Sequence, residues 1–377
     1  MRSLMDRYAV ARERFSLVFL NGVGGMMATI AGLHLIGWLT LVVIIVPQHL
    51  AIGARTFDIG LGLTAYVLGI RHSLDADHIA AIDNTTRRLT AKNERTISVG
   101  FWFAIGHSTI VFALTTLFAL GTQTLASRLF IGRTDLGVLT GAVGAVISGG
   151  FLYAIAALNV LSLITAWRQY RCQPPSTDPK LSPERQLAKR GLLNRLLNPL
   201  MRLITKPWQM YFVGLLFGLG FDTVTEIALL VLSGTGAASG LPWYAILCLP
   251  TLFAAGMSII DTIDGSLMNI AYKWAIARPA GSFYYNLAIT ALSVAAALAI
   301  GTLEILGLIA DRLHLRGALW RWIAAVDLMW AGVAIVGLFI ATWSAALFIW
   351  KIPRAARSLV SPLWRKSARA AGGCPPK

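Results

Sequence analysis

A cluster of ionisable side chains lies inside an apolar stretch of the sequence, between Phe57 and Ile82. A charged side chain near the centre of a bilayer costs on the order of 2.5–3.5 kcal/mol, so such a cluster in a membrane segment indicates a function. Imidazole nitrogen and carboxylate oxygen together suit a borderline transition-metal ion, whereas magnesium and calcium prefer oxygen alone. The cluster therefore predicts a transition-metal site made of these residues: His72, Asp75, Asp77 and His78.

Helical geometry limits how these side chains reach one ion. At about 100° per residue, His72, Asp75, His78 and Asp83 fall within one arc of roughly 140°, and Asp77 points nearly the opposite way. A straight helix therefore cannot direct all the predicted ligands at one ion. Either the helix is distorted, or Asp77 orients a ligand or contacts a neighbouring helix. We favour the second interpretation.

Other apolar stretches contribute further ionisable groups. His34 lies midway along the first stretch, where it could complete a site with His72 and His78. Carboxylates on separate helices, next to small residues that permit close packing, suit an ion path through a bundle. For each of them, pairing with an arginine or a hydroxyl group to fasten two helices is the alternative. The candidate path residues are His107, Asp222, Glu226, Asp261, Asp264 and Asp83.

The composition places the whole chain in a membrane. Of its 377 residues, 56% are hydrophobic and only 13% are charged, whereas soluble domains are about half apolar and a quarter charged. The net charge of +16 would suit nucleic acid. The lysines and arginines, however, fall in short clusters between apolar runs, as in the cytoplasmic loops of membrane proteins. We therefore expect a lipid bilayer as partner and no nucleic acid.

The apolar runs predict an all-α membrane protein with eight transmembrane helices. A span needs about 20 apolar residues, and backbone groups in lipid must bond internally, which favours helices. With eight spans nearly all basic loops share one side, so both termini are predicted to be cytoplasmic; the loop Asp311–Arg321 is the exception. The spans lie near Met27–Val46, Phe57–Ile82, Ile97–Leu120, Leu136–Trp167, Trp208–Leu232, Trp243–Ile263, Tyr285–Ala310 and Val326–Trp350.

One hydrophilic segment divides this single polytopic membrane domain. Residues 168–207 carry several prolines and mixed charges, which is typical of a cytoplasmic linker. Helices 1–4 are expected within residues 27–167 and helices 5–8 within residues 208–350. Residues 367–377 are expected to be a disordered tail.

The stretch Arg71–Asn84 closely resembles the second-helix signature of the nickel/cobalt transporter family (NiCoT), whose core is His, four residues, then Asp-His. Three more motifs resemble those of the family, in the same order: Ile105–Thr109, Leu219–Glu226 and Gly256–Asp264. The resemblance implies a secondary permease that imports nickel, cobalt or both across the cytoplasmic (inner) membrane of a bacterium. It also implies that His72, Asp75, Asp77 and His78 form the recognition site, with His34 where a polar residue helps to choose the metal.

The same residues leave two alternative functions open. The chain has no nucleotide-binding loop of the Gly-x-x-x-x-Gly-Lys-Ser/Thr type, so it does not itself hydrolyse ATP. A membrane subunit of an ATP-driven importer is one alternative, and a membrane-embedded metalloenzyme is the other, although six histidines are few for such an enzyme. We expect no enzyme activity, no cofactor beyond Ni²⁺ or Co²⁺ as transported substrate, and no obligatory protein partner.

Overall fold

The described part of the protein consists of helices and their connecting loops, apart from one short hairpin. The computed structural model describes residues 22–52, 55–92, 94–120, 135–172, 204–219, 224–276 and 279–351. Its elements are α1 (Gly22–Gln48), β1 (Ala51–Ile52), β2 (Arg55–Thr56), α2 (Ile59–Ser73), α3 (Ala76–Ala91), α4 (Val99–Ala119), α5 (Asp135–Cys172), α6 (Met210–Gly218), α7 (Val224–Ala238), α8 (Trp243–Ile276), α9 (Pro279–Arg312), α10 (Ala318–Ala325) and α11 (Leu328–Lys351).

The chain forms two compact units. The first takes in the described residues of Met1–Leu74, Arg95–Ser148 and Pro207–Ser266. The second takes in those of Asp75–Glu94, Gly149–Lys206 and Leu267–Lys377.

Glycines set the helix spacing in the first unit. A Cβ on Gly106 of α4 would collide with the backbone carbonyl of Tyr211 on α6, and one on Gly214 of α6 would collide with that of Phe103. A Cβ on Gly69 of α2 would likewise collide with the backbone carbonyl of Phe253 on α8. Because small residues let helix backbones approach closely in a membrane, α4 lies tightly against α6 and α2 tightly against α8.

The hydrophobic core of the first unit joins α1, α2, α4, α7 and α8. Large side chains such as Leu41, Phe57, Leu229 and Phe253 are fully buried there. Near its end α1 passes through a π-helical segment, Thr40–Ile45, before it stops at Gln48. The hairpin that follows pairs β1 and β2 antiparallel.

The predicted second span is not one continuous helix. Asp58 caps the start of α2 by accepting a hydrogen bond from the backbone N–H of Leu61 at 2.9 Å. At the other end α2 stops at Ser73, and Asp75 is extended, with φ −64° and ψ 142°, before α3 begins at Ala76. The boundary between the two units falls at this interruption. The helix is therefore distorted in this stretch, as the first of the two interpretations required, and the role of Asp77 stays a prediction.

The second unit packs α3 against α5, α9 and α11. Small side chains dominate its main core, including Ala76, Ala80, Ala156 and Ala297, together with Leu152. Beside α8 and α9, a second core cluster surrounds Tyr272.

The all-α membrane architecture agrees with the prediction. Among the described residues, five helical segments are long and apolar enough to cross a membrane. They are Gly22–Gln48, Val99–Leu117, Trp243–Trp274, Leu287–Arg312 and Leu328–Ala345. The predicted second span is divided between α2 and α3, and the fifth falls on α6 and α7. The count of eight spans and the side of the termini stay predictions, and most of the predicted linker lies outside the described residues.

Candidate metal centre

Three side chains of the first unit converge on one point. His72 lies in the last turn of α2, His107 on α4 and Glu226 in the first turn of α7. The Nε2 atoms of the two histidines are 2.9 Å apart. Glu226 Oε1 lies 2.5 Å from Nε2 of His107 and 3.6 Å from Nε2 of His72. Two imidazole nitrogens and one carboxylate oxygen thus form a compact triangle of possible ligand atoms.

The triangle is excluded from bulk water. His72 and Glu226 are each 1% exposed, and His107 is 2% exposed. A carboxylate is costly to bury unless hydrogen bonds or cations compensate its charge. His107 is placed to donate one such bond, and a bound cation would also stabilise the buried carboxylate. With neutral imidazoles and an ionised Glu226, this group carries a net charge of −1 and attracts a positive ion.

The spacing of the three atoms fits a divalent transition-metal ion. Such an ion binds imidazole nitrogen at about 2.0–2.1 Å. Two ligand atoms at that distance are about 2.9 Å apart at a right angle and about 3.4 Å apart at the tetrahedral angle. The observed separations of 2.5, 2.9 and 3.6 Å bracket these values. The mixture of nitrogen and oxygen donors suits nickel, cobalt or zinc and disfavours magnesium and calcium.

Packing around the triangle fixes its rings. The ring of Phe253 lies 5.6 Å from that of His72, and the ring of Phe103 lies 6.3 Å from that of His107. His107 directly follows Gly106, where α4 and α6 are closest. A Cβ on Gly218 of α6 would approach the backbone carbonyl of His107 to 2.9 Å. The position of His107 therefore depends on this glycine-lined contact.

His34 has partners outside the triangle. Its Nδ1 lies 2.8 Å from the backbone carbonyl of Ile30, to which it donates a hydrogen bond. With Nδ1 protonated, its Nε2 accepts a hydrogen bond from the hydroxyl of Tyr66 at 3.2 Å. The predicted role of His34 in metal selection stays a prediction.

Asp83 belongs to a polar network in the second unit. Its carboxylate accepts hydrogen bonds from Tyr272 on α8 and, at 2.6 Å, from Ser293 on α9. The neighbouring Asn84 accepts a bond from the side chain of Asn159 on α5. These bonds join α3 to three helices. Helix packing through hydroxyl groups is the alternative to an ion-path role that the sequence left open for such carboxylates.

The remaining predicted residues are placed as follows. Asp75 precedes α3, and Asp77 and His78 lie in its first turn, all of them buried within the second unit. Asp261 and Asp264 lie on α8 in the first unit, and Asp261 is fully buried. Asp222 lies outside the described residues. The sequence ranked His107 and Glu226 only as path residues, and it missed the hydroxyl partners Tyr66, Thr225, Tyr272 and Ser293.

An all-α membrane fold with a buried group of imidazole and carboxylate side chains defines a class: integral membrane proteins with buried candidate ligands for a transition-metal ion. A family model described as high-affinity nickel-transport protein (NicO) matches residues 58–349. The chain belongs to this family, as the resemblance of its four motifs implied.

Individual relatives agree with this assignment. The nickel transporter NicT of Mycobacterium tuberculosis is 51% identical over 350 residues, covering 93% of this chain and 92% of the relative. The nickel transporter NixA of Staphylococcus aureus is 40% identical over 327 residues, covering 85% of this chain and 96% of the relative. The cobalt transport protein NhlF of Rhodococcus rhodochrous is 39% identical over 293 residues, covering 76% and 82%. No solved structure matches the chain.

Proposed function

We propose that this protein is a permease that imports Ni²⁺, and also Co²⁺, across the cytoplasmic membrane of a bacterium. The convergence of His72, His107 and Glu226 in a buried site carries the proposal, because its donor set suits these ions. Membership of the nickel-transport family supports nickel as the cargo. The name of the Rhodococcus relative supports cobalt as a second cargo.

In the proposed mechanism the ion exchanges water for the two Nε2 atoms and the carboxylate. The imidazoles must be neutral to bind, and Glu226 supplies negative charge where the hydration shell is lost. A membrane potential of 100 mV favours inward movement of a dication by about 4.6 kcal/mol, twice the value for a single charge. Entry therefore needs no ATP-hydrolysing site in the chain. The prediction that Asp75, Asp77 and His78 also bind the ion stays part of this proposal and rests on the sequence.

Uptake of radioactive nickel by cells that express the protein tests the proposal. His107→Ala and Glu226→Gln should each abolish most of the uptake at equal amounts of protein in the membrane. The matched control is His314→Asn, because His314 is exposed with φ 49°, a conformation that asparagine tolerates well. Cobalt accumulation, measured by elemental analysis in the same cells, should follow nickel.

Two results would contradict the proposal. If expression of the wild type leaves nickel and cobalt unchanged or lowers them, the importer assignment fails. If both site variants accumulate nickel as the wild type does, the triangle is not the transport site.

A further inference from the structure

A threonine contacts the far side of the His72 ring. Thr225 lies in the first turn of α7, one residue before Glu226, and is 4% exposed. Its Oγ1 is 3.1 Å from Nδ1 of His72. The ring therefore contacts α7 through Nδ1, while its Nε2 faces His107.

The hydrogen bonds in the triangle determine which nitrogen of His72 carries the proton. When Glu226 is ionised its carboxylate only accepts, so in the metal-free protein the 2.5 Å contact places a proton on Nε2 of His107. This proton must leave Nε2 when an ion binds there. That proton also faces Nε2 of His72 at 2.9 Å. Nε2 of His72 must then be the acceptor. Because a neutral imidazole has one donor and one acceptor, His72 carries its proton on Nδ1 and donates it to Thr225 Oγ1.

The opposite arrangement conflicts with the same distances. A proton on Nε2 of His72 would need a lone pair on Nε2 of His107. That lone pair would then face the ionised carboxylate of Glu226 at 2.5 Å, with no hydrogen between two acceptors. With Glu226 ionised, the geometry thus selects one tautomer of His72, in which Nδ1–H donates a hydrogen bond to Thr225 Oγ1.

We propose that Thr225 is a positioning residue that holds His72 as the Nδ1–H tautomer, so that the lone pair of Nε2 points at the incoming metal ion. This inference rests on the proposed function, because it assigns a role to a neighbour of the proposed ligand. Partners that fix the tautomer of a metal-binding histidine typically change metal affinity by about 10- to 100-fold when they are removed. Valine has the shape of threonine without the acceptor, and serine keeps the acceptor.

Transport kinetics of the full-length protein test the proposal. Thr225→Val should raise the KM for Ni²⁺ uptake by about 10- to 100-fold with little change in the maximal rate. Thr225→Ser should restore a KM near that of the wild type. Thr235→Val is the matched control on the same helix, because Thr235 is exposed and its hydroxyl donates to the backbone carbonyl of Val231, away from His72. Its KM should be unchanged.

A spectroscopic measurement separates positioning from general packing. The chain has six histidines, so nitrogen-15 spectra of the metal-free protein labelled at histidine are simple, and His72→Gln identifies the signals of His72. We expect Nδ1–H in the wild type and in Thr225→Ser, and a mixture of tautomers in Thr225→Val. A wild-type His72 protonated on Nε2 would overturn the proposal.

The two proposals fail in different ways. If His107→Ala and Glu226→Gln lose uptake but Thr225→Val keeps the wild-type KM and tautomer, only the role of Thr225 is wrong. If Thr225→Ser is impaired as strongly as Thr225→Val, the methyl group matters instead of the hydroxyl acceptor. If His107→Ala and Glu226→Gln transport normally, the proposed site itself is wrong.

Discussion

The close contact between α4 and α6 makes Gly106→Ala an informative perturbation of the metal centre. The Cβ that this change adds would overlap the backbone carbonyl oxygen of Tyr211. A backbone atom cannot turn away as a side chain can, so one helix must move relative to the other. His107 is the next residue on α4, and it moves with the helix.

The size of the effect follows from this geometry. The added Cβ would lie 2.0 Å from the Tyr211 oxygen, so restoring an ordinary van der Waals separation of 3.4 Å requires a movement of about 1.4 Å. Metal–ligand bonds tolerate errors of only about 0.2 Å. Overpacking of this kind costs about 1–3 kcal/mol. Since about 1.4 kcal/mol is tenfold in an equilibrium constant, placing the whole strain on the site would weaken Ni²⁺ binding by about 5- to 150-fold.

Nickel uptake and thermal unfolding of the purified protein, measured together, check this prediction. We expect Gly106→Ala to raise the KM for Ni²⁺, to lower the melting temperature, or both. The added strain must either distort the metal-binding geometry or destabilise the fold. Gly307→Ala on α9 is the control, because a Cβ there meets no atom within 4 Å. Wild-type values of both quantities in Gly106→Ala would refute the reasoning about helix spacing.

Two further predictions concern stability. Tyr272→Phe removes a hydroxyl donor from the buried carboxylate of Asp83 and should lower the free energy of unfolding by about 1.5–3 kcal/mol. Tyr153→Phe, which breaks only a hydroxyl–hydroxyl bond to Thr302, should lower it clearly less. Equal losses in the two variants would contradict the importance of Asp83. Asp58→Ala removes the cap of α2 and should lower the free energy of unfolding by about 0.5–2 kcal/mol, whereas Asp58→Asn should keep most of that stability. Equal denaturation midpoints of the wild type and both variants would show that the cap does not matter.

The sequence predicted the all-α membrane fold and indicated His72 as a candidate ligand, because apolar runs and the cost of buried charge are local properties of the chain. It did not predict that His107 and Glu226 meet His72. Those two residues are 119 positions apart, and their contact depends on helix spacing that glycines such as Gly106 set. No single-sequence pattern indicates which glycine faces which helix.

The interruption of the second span was also hard to predict. No proline or glycine stands at Leu74 or Asp75, the residues that separate α2 from α3, so the usual signals for a helix end are missing at that point. The straight-helix geometry inferred from spacing therefore failed from Asp75 onward. Asp83 illustrates a related limit: its partners Tyr272 and Ser293 lie about 200 residues further along the chain, on helices that no local sequence pattern pairs with α3.

The interruption gives the proposed site an electrostatic advantage. Because α2 stops at Ser73, the negative end of its dipole, about half an elementary charge, lies within one turn of His72. A helix continuing to Ala91 would carry that end far from the site. Glu226 contributes one negative charge, and the negative end of α2 is offset by the positive end of α7, where Glu226 lies, so a bound dication keeps an excess of about one positive charge. In a permease the ion must bind well enough to enter and weakly enough to leave. A second carboxylate in the triangle would remove that excess and favour retention, so a single acidic ligand beside a helix end suits transport better than storage.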